Sequence, residues 1–344
     1  MRCEDEAMSL GTYAAAVRPI LIAEIALPAF SWASWVPEVG WLVIQPADRS
    51  VTVLDAGLRA PVRTAVPVHA PQFMASVSER HLAVVTLDEL VVADRDGAVL
   101  WRREHELPEA GEIWRPNCHL DAGGVLWVYL PNGDELVAYD AAAGREIDRV
   151  PLNSTVGVAH FFPHPDGERI GFYVAMGQDR PLSHVAWLAG GRIRGRDLPG
   201  GFLAGFTTSG DRYLAMPHAD APELAFHDLA SGAVVAACDP AAIPGHDGEY
   251  RLMEAAVLAD DDTVLVAVST DDFATDFEDH LALTTRGLGR RAHVDYGRAM
   301  THNSIAAGDG HGRWLTRNKN DATVRLWQLP GHIDDEVEGQ LGLW

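Results

Sequence analysis

Few side chains in this sequence are spaced for chemistry. The acidic stretch "STDDFATDFEDH", Ser269 to His280, holds Asp271, Asp272, Asp276, Glu278 and Asp279. Their carboxylates are the hard oxygen donors that calcium takes, but the glycine and ligand order of a helix-loop-helix calcium site are missing, so a solvated acidic loop is expected. The fifteen histidines form no HxH or HExxH. His160 and His164 in "HFFPH" span a strand-to-turn step and need not converge on one metal. Cys3, Cys118 and Cys238 are scattered, odd in number and without a CxxC, which argues against a disulfide framework or a zinc site and fits a reducing cytosol. There is no GxSxG elbow, no P-loop and no GxGxxG. No catalytic residue, metal ligand or cofactor is therefore assigned.

Bulk composition narrows the partners. The 344 residues are 47% hydrophobic and 22% charged, the balance of a folded chain. A net charge of −22 repels nucleic-acid phosphates and anionic lipid, so neither is expected as a partner. Near the N-terminus stand Glu4, Asp5 and Glu6, and the apolar stretch "ILIAEIALPAF" is broken by Glu24, a pattern unlike a secretory leader. No apolar run reaches the ~20 residues that span a bilayer. A cytoplasmic monomer is expected.

The elements that must carry any site repeat along the chain. Turn aspartates precede similar apolar stretches at Asp48, Asp88, Asp134, Asp179, Asp220, Asp279 and Asp321. Six steps span 273 residues, a mean of 45.5, near the ~40–45 residues of a four-stranded propeller blade. Before most of them lies a tight polar turn and a strand-forming run, as in "DAGGVLWVYL", "HPDGERIGFYV" and "ADDDTVLVAV". Each unit reads as four short strands. The C-terminal unit "DATVRLWQLPG" resembles the end of a WD repeat, with Gln328 in place of the closing Asp. "ADRDGAVLWRRE" and "AYDAAAGREIDRVPL" resemble quinoprotein-type propeller repeats.

The resemblance implies an all-β, seven-bladed propeller over residues 17–331, between an N-terminal extension (1–16) and a C-terminal tail (332–344). It implies that an N-terminal strand, residues 17–27, completes the last blade, because an open toroid would expose two sheet edges. It also implies that a His before the first strand pairs with the turn Asp, His302 with Asp321 and His160 with Asp179.

In such a fold, function sits on the loops around the channel. Those loops carry Trp32, Trp35, Phe73, Trp114, Arg115, His160, Phe202, Arg251 and His302, aromatic and basic types that anchor protein interfaces. A non-catalytic scaffold binding a protein or peptide on one face is the expected function. The alternative is a metal-dependent hydrolase resembling the lactonase-type propellers, with Glu112, Asn117, Glu254 and Asn303 as dispersed channel groups.

Overall fold

Strong alternation of apolar side chains on short strands leaves each sheet with two faces to bury. The computed structural model solves this with seven four-stranded antiparallel blades arranged in a toroid. It describes residues 16–28, 30–106, 115–154, 157–176, 179–218, 221–239, 251–270, 278–298, 303–318 and 322–331. Blades 1 to 6 begin with the innermost strands Trp32–Val36, Met74–Val77, Asn117–Leu120, Val158–Pro163, Phe202–Phe206 and Arg251–Leu258, and blade 7 with Asn303–Gly308.

The core is divided into seven slabs between neighbouring blades. Successive residues of a strand point to opposite faces. In blade 2, Leu82, Val84 and Val91 therefore pack on blade 1, while Ala83, Val85, Leu90 and Val92 pack on blade 3. This is why the middle strands are apolar at nearly every position. The largest buried rings, Trp41, Trp127, Trp314 and Trp327, lie in these slabs. Trp327, at the WD-like position, donates its indole N–H to Thr316 Oγ1 at 2.9 Å.

Closure follows the sequence expectation with one adjustment. Ile20–Ala26 forms the outermost strand of blade 7, pairing antiparallel with Thr323–Gln328. Arg325 Nε donates to Glu24 Oε2 at 2.6 Å across this pair. Residue 17 falls elsewhere: Ala16–Val17 pairs in parallel with His293 and Val294 on the outer edge of blade 6. Pro19, which lacks an N–H, separates the two strands.

Because each innermost strand comes first, the blade-to-blade connections and the turns between second and third strands share one face, here the mouth face. The first-to-second and third-to-fourth hairpins form the opposite face. There aspartates hold the turns: Asp55, Asp94, Asp121, Asp140, Asp166, Asp228, Asp260 and Asp309 each accept backbone N–H groups from the residues that follow. No helix among the described residues is long and apolar enough to cross a membrane.

Candidate functional site

The mouth face brings together aromatic side chains from blades that are not neighbours. Trp32 opens the innermost strand of blade 1 and keeps 37% of its surface exposed. Its ring centroid lies 5.0 Å from that of His160, the third residue of the innermost strand of blade 4. The indole thus reaches across the channel. His160 is 4.9 Å from Tyr173, its cross-strand partner, and Tyr173 is 5.1 Å from Phe202, which opens blade 5. Phe202 in turn meets His218 at 5.4 Å. The edge and tilted geometries are those that aromatic quadrupoles favour.

Two glycines let these strands seat closely. A Cβ on Gly157 would stand 1.9 Å from the Ala175 carbonyl oxygen, and one on Gly201 would stand 1.9 Å from that of Met216. Each precedes an innermost strand, so a side chain at either position would push His160 or Phe202 off its register. Gly157 also donates its N–H to the Tyr129 hydroxyl of blade 3.

Burial keeps two histidines of this region neutral. It pushes the His160 imidazole down to about 4, and His119, on the innermost strand of blade 3, also to about 4. Nδ1 of His160 and Nδ1 of His218 are buried without a hydrogen-bond partner among the described residues. Basic groups flank the mouth. Arg115 is exposed, its backbone bridging to Val158. The Arg317 guanidinium lies 4.7 Å from the centre of the Phe30 ring.

The sequence-nominated residues divide. Trp32, Arg115 and His160 stand at the mouth, and Phe202 with them. Trp35 does not: three residues further along the strand, it packs edge-on against the buried Trp41 at 4.8 Å, at the slab between blades 7 and 1. Phe73 is only 5% exposed and lies in the slab between blades 1 and 2. Phe73 is a core residue and Trp35 a half-buried one packed on the core, because a residue near a strand end can turn into the slab as readily as toward the channel. Trp114 and His302 lie outside the described residues, as does the side chain of Arg251. The pairing of His302 with Asp321 lies outside them too, and so does the side chain of Asp179. His160 instead joins the aromatic run. Tyr173 and His218 were not nominated. Tyr173 carried a signal, since it faces His160 across one hairpin.

The turn aspartates have several roles. Asp134 is 8% exposed and accepts from the Ser154 N–H and hydroxyl and from the Tyr129 hydroxyl. Asp88 accepts from Thr86 Oγ1 at 2.7 Å, and Asp48 pairs with Arg63 at 3.0 Å. Asp279 approaches His293 Nε2 at 3.6 Å. Asp220 and Asp321 lie outside the described residues, as do Asp271, Asp272 and Asp276.

Of the four groups nominated for a channel metal, Glu112 and the side chains of Glu254 and Asn303 lie outside the described residues. Asn117 is buried and already committed: its amide donates to the Ala159 carbonyl at 2.7 Å and its oxygen accepts from Cys118 N–H. No group of three or more His, Cys, Asp or Glu side chains among the described residues converges on a metal position. A cavity of about 470 Å³ lies away from the channel, between blades 2 and 3. Its arginines are self-paired, Arg103 with Glu146 and Arg149 with Glu135 and Glu146.

No protein-family model and no curated protein matches the chain. Its fold is similar to solved propellers. A chain of the mitotic checkpoint complex superimposes with a TM-score of 0.60 at 13% identity, over 95% of this chain and 99% of that one. The WD40 domain of Neurospora crassa Pan2 gives 0.56 at 13% identity, over 94% and 99%. YCF48 bound to D1 peptide gives 0.57 at 11% identity, over 89% and 94%. A streptogramin B lyase gives 0.55 at 12% identity, over 89% and 97%. The chain has the fold of a seven-bladed β-propeller.

Proposed function

We propose that this propeller is a non-catalytic scaffold whose mouth face binds a protein or peptide partner, with Trp32 as the principal anchor. The observation that carries this reading is the Trp32–His160 contact. It holds a large, part-exposed indole rigidly over the channel, backed by Tyr173 and Phe202. An aromatic side chain fixed before binding loses little entropy on contact, and Trp and Arg dominate measured interface energetics. Two similar propellers were solved with partners, one in the mitotic checkpoint complex and one with the D1 peptide, which supports a docking role for this architecture.

The commitment of Asn117 to the bond between blades 3 and 4 weighs against the lactonase-type alternative. The proposal places the protein in the cytoplasm as a monomer, with Cys118 and Cys238 both unpaired, and without nucleic acid or membrane as partner. It is tested by measuring the affinity of the partner purified from the native organism for wild type and for Trp32→Ala/Arg115→Ala. A loss of about 30-fold or more is expected for anchors worth ~2 kcal/mol. Undiminished affinity removes the mouth from the binding account.

A further inference from the structure

The outer edges of the seven blades differ in how they are protected. An exposed edge strand presents unpaired N–H and C=O groups, and proteins normally blunt it with charge, proline or a covering segment. Blade 1 carries Arg63 on its outermost strand, and blade 2 carries Arg102, Arg103 and Glu104. Blade 3 has Glu146, Asp148, Arg149 and Pro151. Blade 4 has Arg192, Arg194, Arg196 and Asp197, and blade 7 has Glu24. Blade 6 is covered by Ala16–Val17. Among the described residues, blade 5 has none of these devices on its outermost strand. Its outermost strand is Val234–Cys238, "VVAAC", with Val234 57% and Val235 54% exposed.

The molecule itself shows what such an edge accepts: on blade 6, an extended segment adds as a fifth strand. Charge then sets the occupant. Glu223 and Asp239 act electrostatically on Cys238 at one end of the strand, and Asp228 marks the other, beside the His227–Val234 pair. With a net charge of −22, a second copy of this chain is repelled. We propose that Val234–Cys238 is a second docking edge, separate from the mouth, which takes an extended apolar segment of a partner protein flanked by basic residues. Backbone hydrogen bonds supply the register, the two valines the apolar contact, and the end carboxylates the preference for basic flanks.

The test uses fluorescein-labelled peptide KVTVTVK, its glutamate-flanked counterpart EVTVTVE, and KVTVTVK N-methylated at alternate amides. Anisotropy titrations are run on the full chain and on Val235→Lys, on Val234→Thr/Val235→Thr, and on Val62→Lys as a blade 1 control. Binding of KVTVTVK is expected at least tenfold tighter than of either altered peptide. It should fall at least tenfold in both blade 5 variants, and stay unchanged in Val62→Lys and in Trp32→Ala. The neutral double-threonine variant keeps the test valid if the lysine disturbs folding or repels the basic probe. Equal binding of the N-methylated peptide, or equal binding by wild type and the double-threonine variant, overturns the proposal. So does a wild-type dimer in sedimentation that the double-threonine variant abolishes, which would give the edge to a second copy.

Discussion

Trp32 and His160 belong to blades 1 and 4, which are not neighbours, yet their rings meet at 5.0 Å over the channel. In a toroid whose core is split into slabs between adjacent blades, this is a contact between distant parts of the circle. It ties the position of the exposed indole to a strand more than a hundred residues away in sequence. Mutation on blade 4 should therefore be felt at the exposed indole on blade 1.

Acidification should destabilise the fold through its buried histidines. The folded pKa of His160 and of His119 is about 4, below the ordinary value of 6.5. A depressed folded pKa means the unfolded chain binds more protons between these values. The stability is complete above pH 6.5 and is lost as pH falls toward 4. Between pH 7 and pH 5 each residue should cost about 1–2 kcal/mol. Thermal melts of His160→Phe should show a shallower decline over this range than wild type. An identical slope would mean that His160 titrates normally in the folded state.

Removing residues 1–28 should open the toroid. The deletion takes away the Ile20–Ala26 strand and the Glu24–Arg325 pair, and leaves Thr323–Gln328 as a bare apolar edge. Aggregation or a large fall in melting temperature is expected in size-exclusion and calorimetric assays. Deleting 333–344 should do much less. The reverse order would assign closure to the C-terminal segment.

Asp134→Ala should lower stability by ~1–3 kcal/mol, because the Ser154 N–H and the Tyr129 hydroxyl lose their buried acceptor. Asp48→Ala should cost under ~1 kcal/mol, since its Arg63 pair is exposed. Urea denaturation of the two variants measures the difference. Equal losses would show that position in the repeat, and not burial, determines the effect.

The repeat was legible because the turn aspartates and apolar alternation are local properties. Seven units of four strands each could be read from spacing, whereas closure by the N-terminus was implied by the resemblance to WD repeats. The site was less legible. Trp32 and Trp35 sit three residues apart on one strand and looked equivalent, but one crosses the channel while the other packs on Trp41. Their odd spacing puts the two rings on opposite faces of the strand, but which of them crosses the channel depends on what blades 4 and 7 offer. Phe73 was misplaced for the same reason: the residue before a strand can turn into the slab. The apolar edge of blade 5 was visible as "VVAAC", but its exposure emerges only once the outermost strand is known.

Site-specific photo-crosslinking tests the central claim most directly. A benzophenone amino acid at exposed Ser31, beside Trp32 on the mouth face, and another at exposed Glu168 on the hairpin face, are irradiated in extract of the native organism, and the adducts identified by mass spectrometry. The same protein is assayed for metal content and for chelator-sensitive ester or lactone hydrolysis. The account predicts a discrete protein adduct at position 31, none of it at position 168, and no chelator-sensitive turnover. The same adduct at both positions, or stoichiometric metal with hydrolysis abolished by EDTA, would contradict it.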